Sequence, residues 1–296
     1  MAKTNIDLDT LAQQASLSGI AAARRFRLPF ARHIRRGPAG DLAGRDGGGA
    51  LEFQDQRDYH PGDDIRHLNW SAYARSGNLT MKVFQQEIRP LLDLVIDVSA
   101  SMVLSEEKAT RTMECARFAL ASAEEAGAVV RVTTVDGYRI QPMDRAALAS
   151  PKWHPFEPAE TAQPERPDLG RVPWRPNSLR IFLSDLLFPG SPDLCTRPLS
   201  RGASQALIIC PFDRAESDPE WSGACEFEDI ESAKRVVKRA DQSFVRQYTE
   251  AYRNHFRLWT EACSASRVTL ARIDTFPALL DALNQLAKRD ILIPAV

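Results

Sequence analysis

The run Asp97-Val98-Ser99-Ala100-Ser101 places one carboxylate and two hydroxyls on alternate residues. All three are hard oxygen donors, suited to Mg2+ or another divalent cation that keeps part of its water shell. A second acid, Asp185, closes the run Ile181-Phe182-Leu183-Ser184-Asp185. It faces the same spot if the two runs are neighbouring strands. One or two carboxylates leave such an ion undercharged and open, so an acidic group from a partner could complete its shell. The competing reading is that Asp97 and Asp185 cap the helices after them while the serines bond backbone. Two such acids at two strand ends favour the ion.

Other chemistries find less support. A metal-dependent phosphohydrolase using Asp97 and Asp185 is the alternative from the enzyme class. Phosphatases of the haloacid dehalogenase kind pair a nucleophilic strand-end aspartate with a second carboxylate two residues on, and here that place is Ser99. No G-x-S-x-G elbow and no H-E-x-x-H pair occurs. Gly44, Gly47, Gly48 and Gly49 have neither dinucleotide-binding nor phosphate-loop spacing. His60 and His67 flank Asp63 and Asp64, a spacing that matches no ligand pattern, and His255 sits on an apolar helical stripe as a core histidine would.

The elements that must position Asp97 and Asp185 can be read around them. Leu91–Val98 is an aliphatic run of strand length, and Ser105 caps a helix whose apolar positions Met113, Ala116, Leu120 and Ala123 lead to Gly127. Val129–Val135 and Tyr138–Met143 flank Asp136-Gly137 as a hairpin. Residues 142–178 hold eight of the 19 prolines and read as a long loop. Ser178–Asp185, Gln205–Phe212 and Arg267–Ile273 read as strands, residues 241–264 as a long helix, and a last helix carries Leu279, Leu280, Leu283 and Leu286. Strands alternating with helices predict an α/β fold with an open, mostly parallel sheet and helices on both faces. In open sheets of this kind ligands bind beyond the carboxyl ends of the strands, where Asp97 and Asp185 would lie.

Composition sets the outer limits. The chain has 296 residues, 44% hydrophobic and 26% charged, and a formal net charge of −1. Such a balance gives no global attraction to nucleic acid. Six arginines between Arg24 and Arg36, with no acid among them, read as a solvated basic face. No apolar run approaches the roughly 18 residues of a membrane span. The start, MAKTNIDLDT, lacks the pattern of a secretory signal, and five cysteines form no C-x-x-C pair, so the expected compartment is the cytoplasm.

Two resemblances sharpen this reading. Asp97-Val98-Ser99-Ala100-Ser101-Met102 resembles the metal-ion-dependent adhesion site of von Willebrand factor A domains, and the Asp136-Gly137 hairpin and Ser184-Asp185 strand end suit that fold. In such domains a threonine from a separate loop is the remaining ligand. The resemblance points to the proline-rich stretch, whose one threonine is Thr161.

Residues 49–87 resemble a MoxR-associated bacterial family catalogued as domain of unknown function 58. The matching elements are Glu52-Phe53, Asp55, Arg57, Tyr59, Pro61-Gly62-Asp63-Asp64, Arg66, Asn69-Trp70, Ala74-Arg75, Gly77, Leu79, Lys82 and Glu87. Asn69 stands where the family often has aspartate. The mixed charges of this segment suggest bidentate arginine–carboxylate pairs that lock an irregular stretch onto the sheet, with Tyr59 and Trp70 packing.

The expected organisation is a basic, Gly-rich segment at 1–48, the family-signature segment at 49–87 and a von Willebrand factor A-like domain at 88–296. The expected function is a non-enzymatic protein-interaction module with a metal ion held by Asp97, Ser99, Ser101, Asp185 and Thr161. The resemblance implies a MoxR-type AAA+ ATPase as partner and a role in assembling or maturing other proteins. A third expectation is a scaffold whose metal site has become vestigial.

Overall fold

Alternation along one strand decides the layering. In the run at 91–97, Leu92, Leu94 and Ile96 point to one face and Val95 to the other, and all are buried. A strand apolar on both faces must lie in the middle of a covered sheet. The computed structural model shows that sheet and describes residues 7–30, 33–37, 51–156, 166–230 and 234–295.

In chain order the elements are α1 (Leu8–Ala23), β1 (Phe26–Arg27), β2 (His33–Gly37), β3 (Leu51–Asp58), α2 (Trp70–Ser76), β4 (Thr80–Ile88), β5 (Leu91–Asp97), α3 (Glu106–Glu125), β6 (Val129–Asp136), β7 (Arg139–Pro142), α4 (Arg145–Leu148), β8 (Leu179–Leu183), α5 (Asp193–Ser200), β9 (Gln205–Phe212), α6 (Arg214–Ser217), β10 (Gly223–Glu228), β11 (Arg235–Ala240), α7 (Gln242–Ser266), β12 (Thr269–Asp274), α8 (Leu279–Ala287) and β13 (Ile293–Pro294). Short 3-10 turns lie at Ile65–His67, Ala100–Val103 and Leu169–Arg171.

The described residues fall into two units, 7–30 with 91–295, and 33–37 with 51–90. The first unit is mixed α/β. Its six-stranded sheet has the order β12-β9-β8-β5-β6-β7, parallel except for β7, which folds back on β6 through the Asp136-Gly137 turn. Gly137 has φ 53° there, a conformation that suits glycine. Helices α1, α3 and α8 cover one face over Leu94, Ile96, Ile181, Leu183 and Ile209. Helices α5 and α7 cover the other, with Trp259, Phe256 and Tyr252 of α7 against Phe182, Ile208 and Cys210.

The helix α1 was not foreseen as part of this unit. Its face of Ala12, Ala15, Ser16, Gly19, Ala22 and Ala23 is buried, and α1 lies so close to α3 that a Cβ on Gly19 would meet Glu114 O, Phe118 N and Arg117 Cβ at 2.8 Å. Small residues permit that approach, which explains why its apolar pattern is faint.

At the amino end of β5 the buried Asp93 accepts from Arg175 Nε at 2.7 Å, Arg175 N at 2.9 Å and Ser178 Oγ at 2.8 Å. The same guanidinium donates to Leu92 O and to Val129 O at 3.0 Å, tying β5 to β6. An acid in an aliphatic run is here a structural bracket for the start of the central strand.

The second unit is a three-stranded antiparallel sheet of order β2-β4-β3 with α2 in the β3–β4 connection. Arg57 makes two bonds to Asp63, at 2.8 and 2.7 Å, and Arg66 pairs with Asp64. Asp64 caps the turn at Ile65–His67, Asn69 caps α2 by accepting from Ala72 N at 3.3 Å, and Gly77 ends α2 with φ 70°. Asn69 is therefore a helix cap. Trp70 does not pack as expected: it is 59% exposed and meets Tyr73 edge-on at 6.3 Å. It begins a helix of two turns, too short to bury every large side chain it carries.

Candidate functional site

Strands β5 and β8 are neighbours, with Ile96 opposite Leu183, so the condition on Asp97 and Asp185 is met. From β5 the chain passes through α3 to β6 on one side, and later returns to β8 on the other. The order reverses between β5 and β8, the place in an open α/β sheet beyond which ligands commonly bind.

Asp97, fully buried, ends β5. Its Oδ1 accepts from Ser99 N at 3.0 Å and its Oδ2 from Ser184 Oγ at 2.7 Å. The carboxylate is thereby pinned by one group from its own loop and one from the next strand. Ser99 and Ser101 are half-buried, and their hydroxyl oxygens lie 3.2 Å apart. Adjacent ligands of an octahedral Mg2+ lie about 2.9 Å apart and those of Ca2+ about 3.4 Å, from metal–oxygen distances near 2.05 and 2.4 Å. The oxygens are of the type that a hard divalent cation takes, and at this distance the two hydroxyls are hydrogen-bonded to each other. Thr161 lies outside the described residues.

Asp185 sits just past β8, one residue from Ser184, and its first partner is another side chain. Lys108, in the first turn of α3, donates to Asp185 Oδ2 at 2.7 Å and to Glu216 Oε1 at 2.5 Å. Lys108 is fully buried, and Glu216 is held in α6 by a capping box with Asp213. The remaining oxygen of Asp185 accepts from Leu187 N at 3.0 Å. Leu186 between them has φ 62°, strained for a branched side chain. Its N–H bonds Ser184 Oγ at 3.0 Å, its carbonyl bonds His255 Nε2 at 2.8 Å, and its side chain is buried. The core histidine expected at 255 thus braces the turn that carries Asp185.

Electrostatics follow from burial. Burial first, then the Asp185 charge, push the Asp97 carboxyl up to about 7, although the bonds from Ser184 and Ser99 pull it down. Burial also raises Glu216, against the pull of Lys108. Burial alone would lower Lys108, but the two carboxylates more than reverse it, so the ammonium keeps its proton.

Sequence reasoning brought together Asp97, Ser99, Ser101 and Asp185 and missed Lys108, Glu216 and the bridging Ser184 hydroxyl. Lys108 looked like an ordinary charged residue at a helix start. Its one signal is that a lysine disfavours a helix N-terminus, where positive charge already accumulates. Among the described residues no group of three or more His, Cys, Asp or Glu side chains is placed to hold a metal ion, so the candidate rests on hydroxyls and a single pinned carboxylate. No described helix is long and apolar enough to cross a membrane.

Two solved structures resemble the chain weakly. One is a conserved hypothetical protein, BatB, from Bacteroides thetaiotaomicron, 10% identical, covering 68% of this chain and 98% of its own, with a TM-score of 0.31. The other is an aerotolerance-related membrane protein from Bacteroides fragilis, 11% identical, covering 68% and 99%, with a TM-score of 0.29. No curated protein matches the sequence. The family model described as "Protein of unknown function DUF58" matches residues 55–257, which span both the signature segment and the strand-end site, and the chain belongs to that family.

Proposed function

We propose that this protein is a non-enzymatic interaction module of von Willebrand factor A-like design. Asp97, Ser99 and Ser101 hold a divalent cation, Mg2+ in the first instance, beyond the carboxyl ends of β5 and β8. An acidic side chain of a partner protein completes the ion's shell. The observation that carries this reading is the pinned Asp97 carboxylate beside two hydroxyl oxygens 3.2 Å apart at the strand-order reversal. Ser99 stands where a phosphatase of the aspartyl kind would carry its acid–base carboxylate. A binding role therefore suits the site better than phosphoester hydrolysis.

The partner reading comes from the family resemblance of residues 49–87: a MoxR-type AAA+ ATPase, with the pair acting in assembly or maturation of other proteins, in the cytoplasm. Affinity capture tests it. The full chain should retain such an ATPase in Mg2+ and lose it in chelator, and Asp97→Ala should behave in Mg2+ as the wild type does in chelator. Equal capture under all these conditions would leave only the ion-free scaffold, a reading favoured by Lys108, which already supplies the site with a cation.

A further inference from the structure

Lys108 is the least expected residue of the first unit. It is fully buried, sits at N3 of a 20-residue helix, and donates to two carboxylates from two other elements. Burying an ammonium is costly, and placing it at the positive end of a helix adds to the cost. Only the carboxylates of Asp185 and Glu216 offset this. Their placement in turn ties Asp185 to a cationic group, whereas the two oxygens of Asp97 accept only from the neutral donors Ser99 N and Ser184 Oγ.

Charge balance links this triad to the ion site. Asp97, Asp185 and Glu216 against one lysine leave the cluster at −2 when every group is ionised. A buried excess of that size is relieved by a proton on one of the acids or by a counter-ion, and a single divalent cation cancels it. Without the lysine the cluster would stand at −3 and Asp185 would be free to turn to the ion.

We propose that Lys108 is the residue that sets the specificity of the site: its ammonium withholds Asp185 from the ion, so that the cation is held through Asp97 and the two serines and keeps positions open for a partner's carboxylate. The inference rests on the reading of Asp97, Ser99 and Ser101 as cation ligands. It makes Lys108 a positioning residue that tunes ion affinity downward, since a site satisfied by its own two acids would have little use for an acid from outside.

The test is a titration of the full chain with Mn2+, read by calorimetry and by the ion-induced rise in melting temperature. It compares wild type with Lys108→Met and with the double variant Lys108→Met/Glu216→Gln. The double variant removes one of the two carboxylates that the lysine would leave unpaired. Freeing Asp185 from the ammonium should tighten Mn2+ binding at least about tenfold in Lys108→Met, whose cluster stands at −3, and by a smaller factor in the double variant, whose cluster stays at −2. It should also enlarge the ion-induced rise in melting temperature. Variants that bind Mn2+ no more tightly than wild type, or that stay unfolded with and without Mn2+, overturn the inference, because the ion must be able to stand in for the lysine's charge. Binding by the variants with none by wild type would overturn it, because Lys108 would then exclude the ion and not tune its affinity. No binding by any of the three would remove both.

Discussion

A buried acid with a raised pKa makes stability fall as pH rises, and Asp97 is that case. Its carboxyl is fully buried and pushed up to about 7, against 3.8 for the unperturbed group. Between those values the unfolded chain has released the proton and the folded chain still holds it. The native state therefore loses ground through that window, is best placed below it and levels off above it. At 1.36 kcal/mol per pKa unit the whole effect is about 4 kcal/mol. Asp97→Asn cannot titrate and should abolish this contribution. Urea unfolding in chelator, at intervals between about pH 5 and about pH 8, gives the stability difference between variant and wild type. That difference should move in the variant's favour by about 1.4 kcal/mol per pH unit up to about pH 7. Glu216, also raised by burial, is common to both proteins and cancels in the difference to first order. Saturating Mg2+ should restore the wild type above about pH 7, where proton and ion no longer compete for the carboxylate. A difference that stays constant across the pH range would refute the reasoning.

Three further outcomes follow from the fold around the site. Asp93→Ala takes the buried acid from the partly buried Arg175 guanidinium and from Ser178 Oγ and should cost about 2–4 kcal/mol in denaturant unfolding, since it leaves one side of the pair without its partner. Gly19→Ala must push α1 away from backbone atoms 2.8 Å from the new methyl, and should cost about 1–3 kcal/mol, read as a lower melting temperature. His255→Leu takes the partner from the Leu186 carbonyl and should cost about 1–3 kcal/mol. Because Leu186 N bonds the Ser184 hydroxyl that pins Asp97, the same variant should also weaken Mn2+ binding in calorimetry.

The sheet was legible because its strands are short aliphatic runs bounded by turn chemistry. The run at 91–97, the Asp136-Gly137 turn and the Ser105 cap all stand where the residues place them. The long helix stands at Gln242–Ser266, but its buried stripe is Tyr252, Phe256, Trp259 and Cys263, one position on from the expected stripe of Phe244, Tyr248, Ala251, His255 and Leu258, and Leu258 is 42% exposed. What stayed hidden depended on contacts far apart in sequence. Nothing local marks Lys108 as the partner of residues 77 and 108 positions away, or Arg175 as the clamp of Asp93 82 positions away. Helix α1 escaped notice because alanine and glycine make a packing face without a strong apolar signal. The proline-rich stretch at 142–178 is less irregular than its composition suggests, with α4 at Arg145–Leu148 and a turn at Leu169–Arg171. Trp70 shows the opposite error, since a large aromatic side chain on a two-turn helix can remain in solvent.

The central claim is that Asp97, Ser99 and Ser101 hold a divalent cation. Isothermal titration of the full chain with Mg2+ and with Mn2+, beside Asp97→Ala, tests it most directly. Wild type should bind one saturable ion per chain, and Asp97→Ala should bind none. No binding by the folded wild type, or binding that Asp97→Ala leaves unchanged, would contradict it.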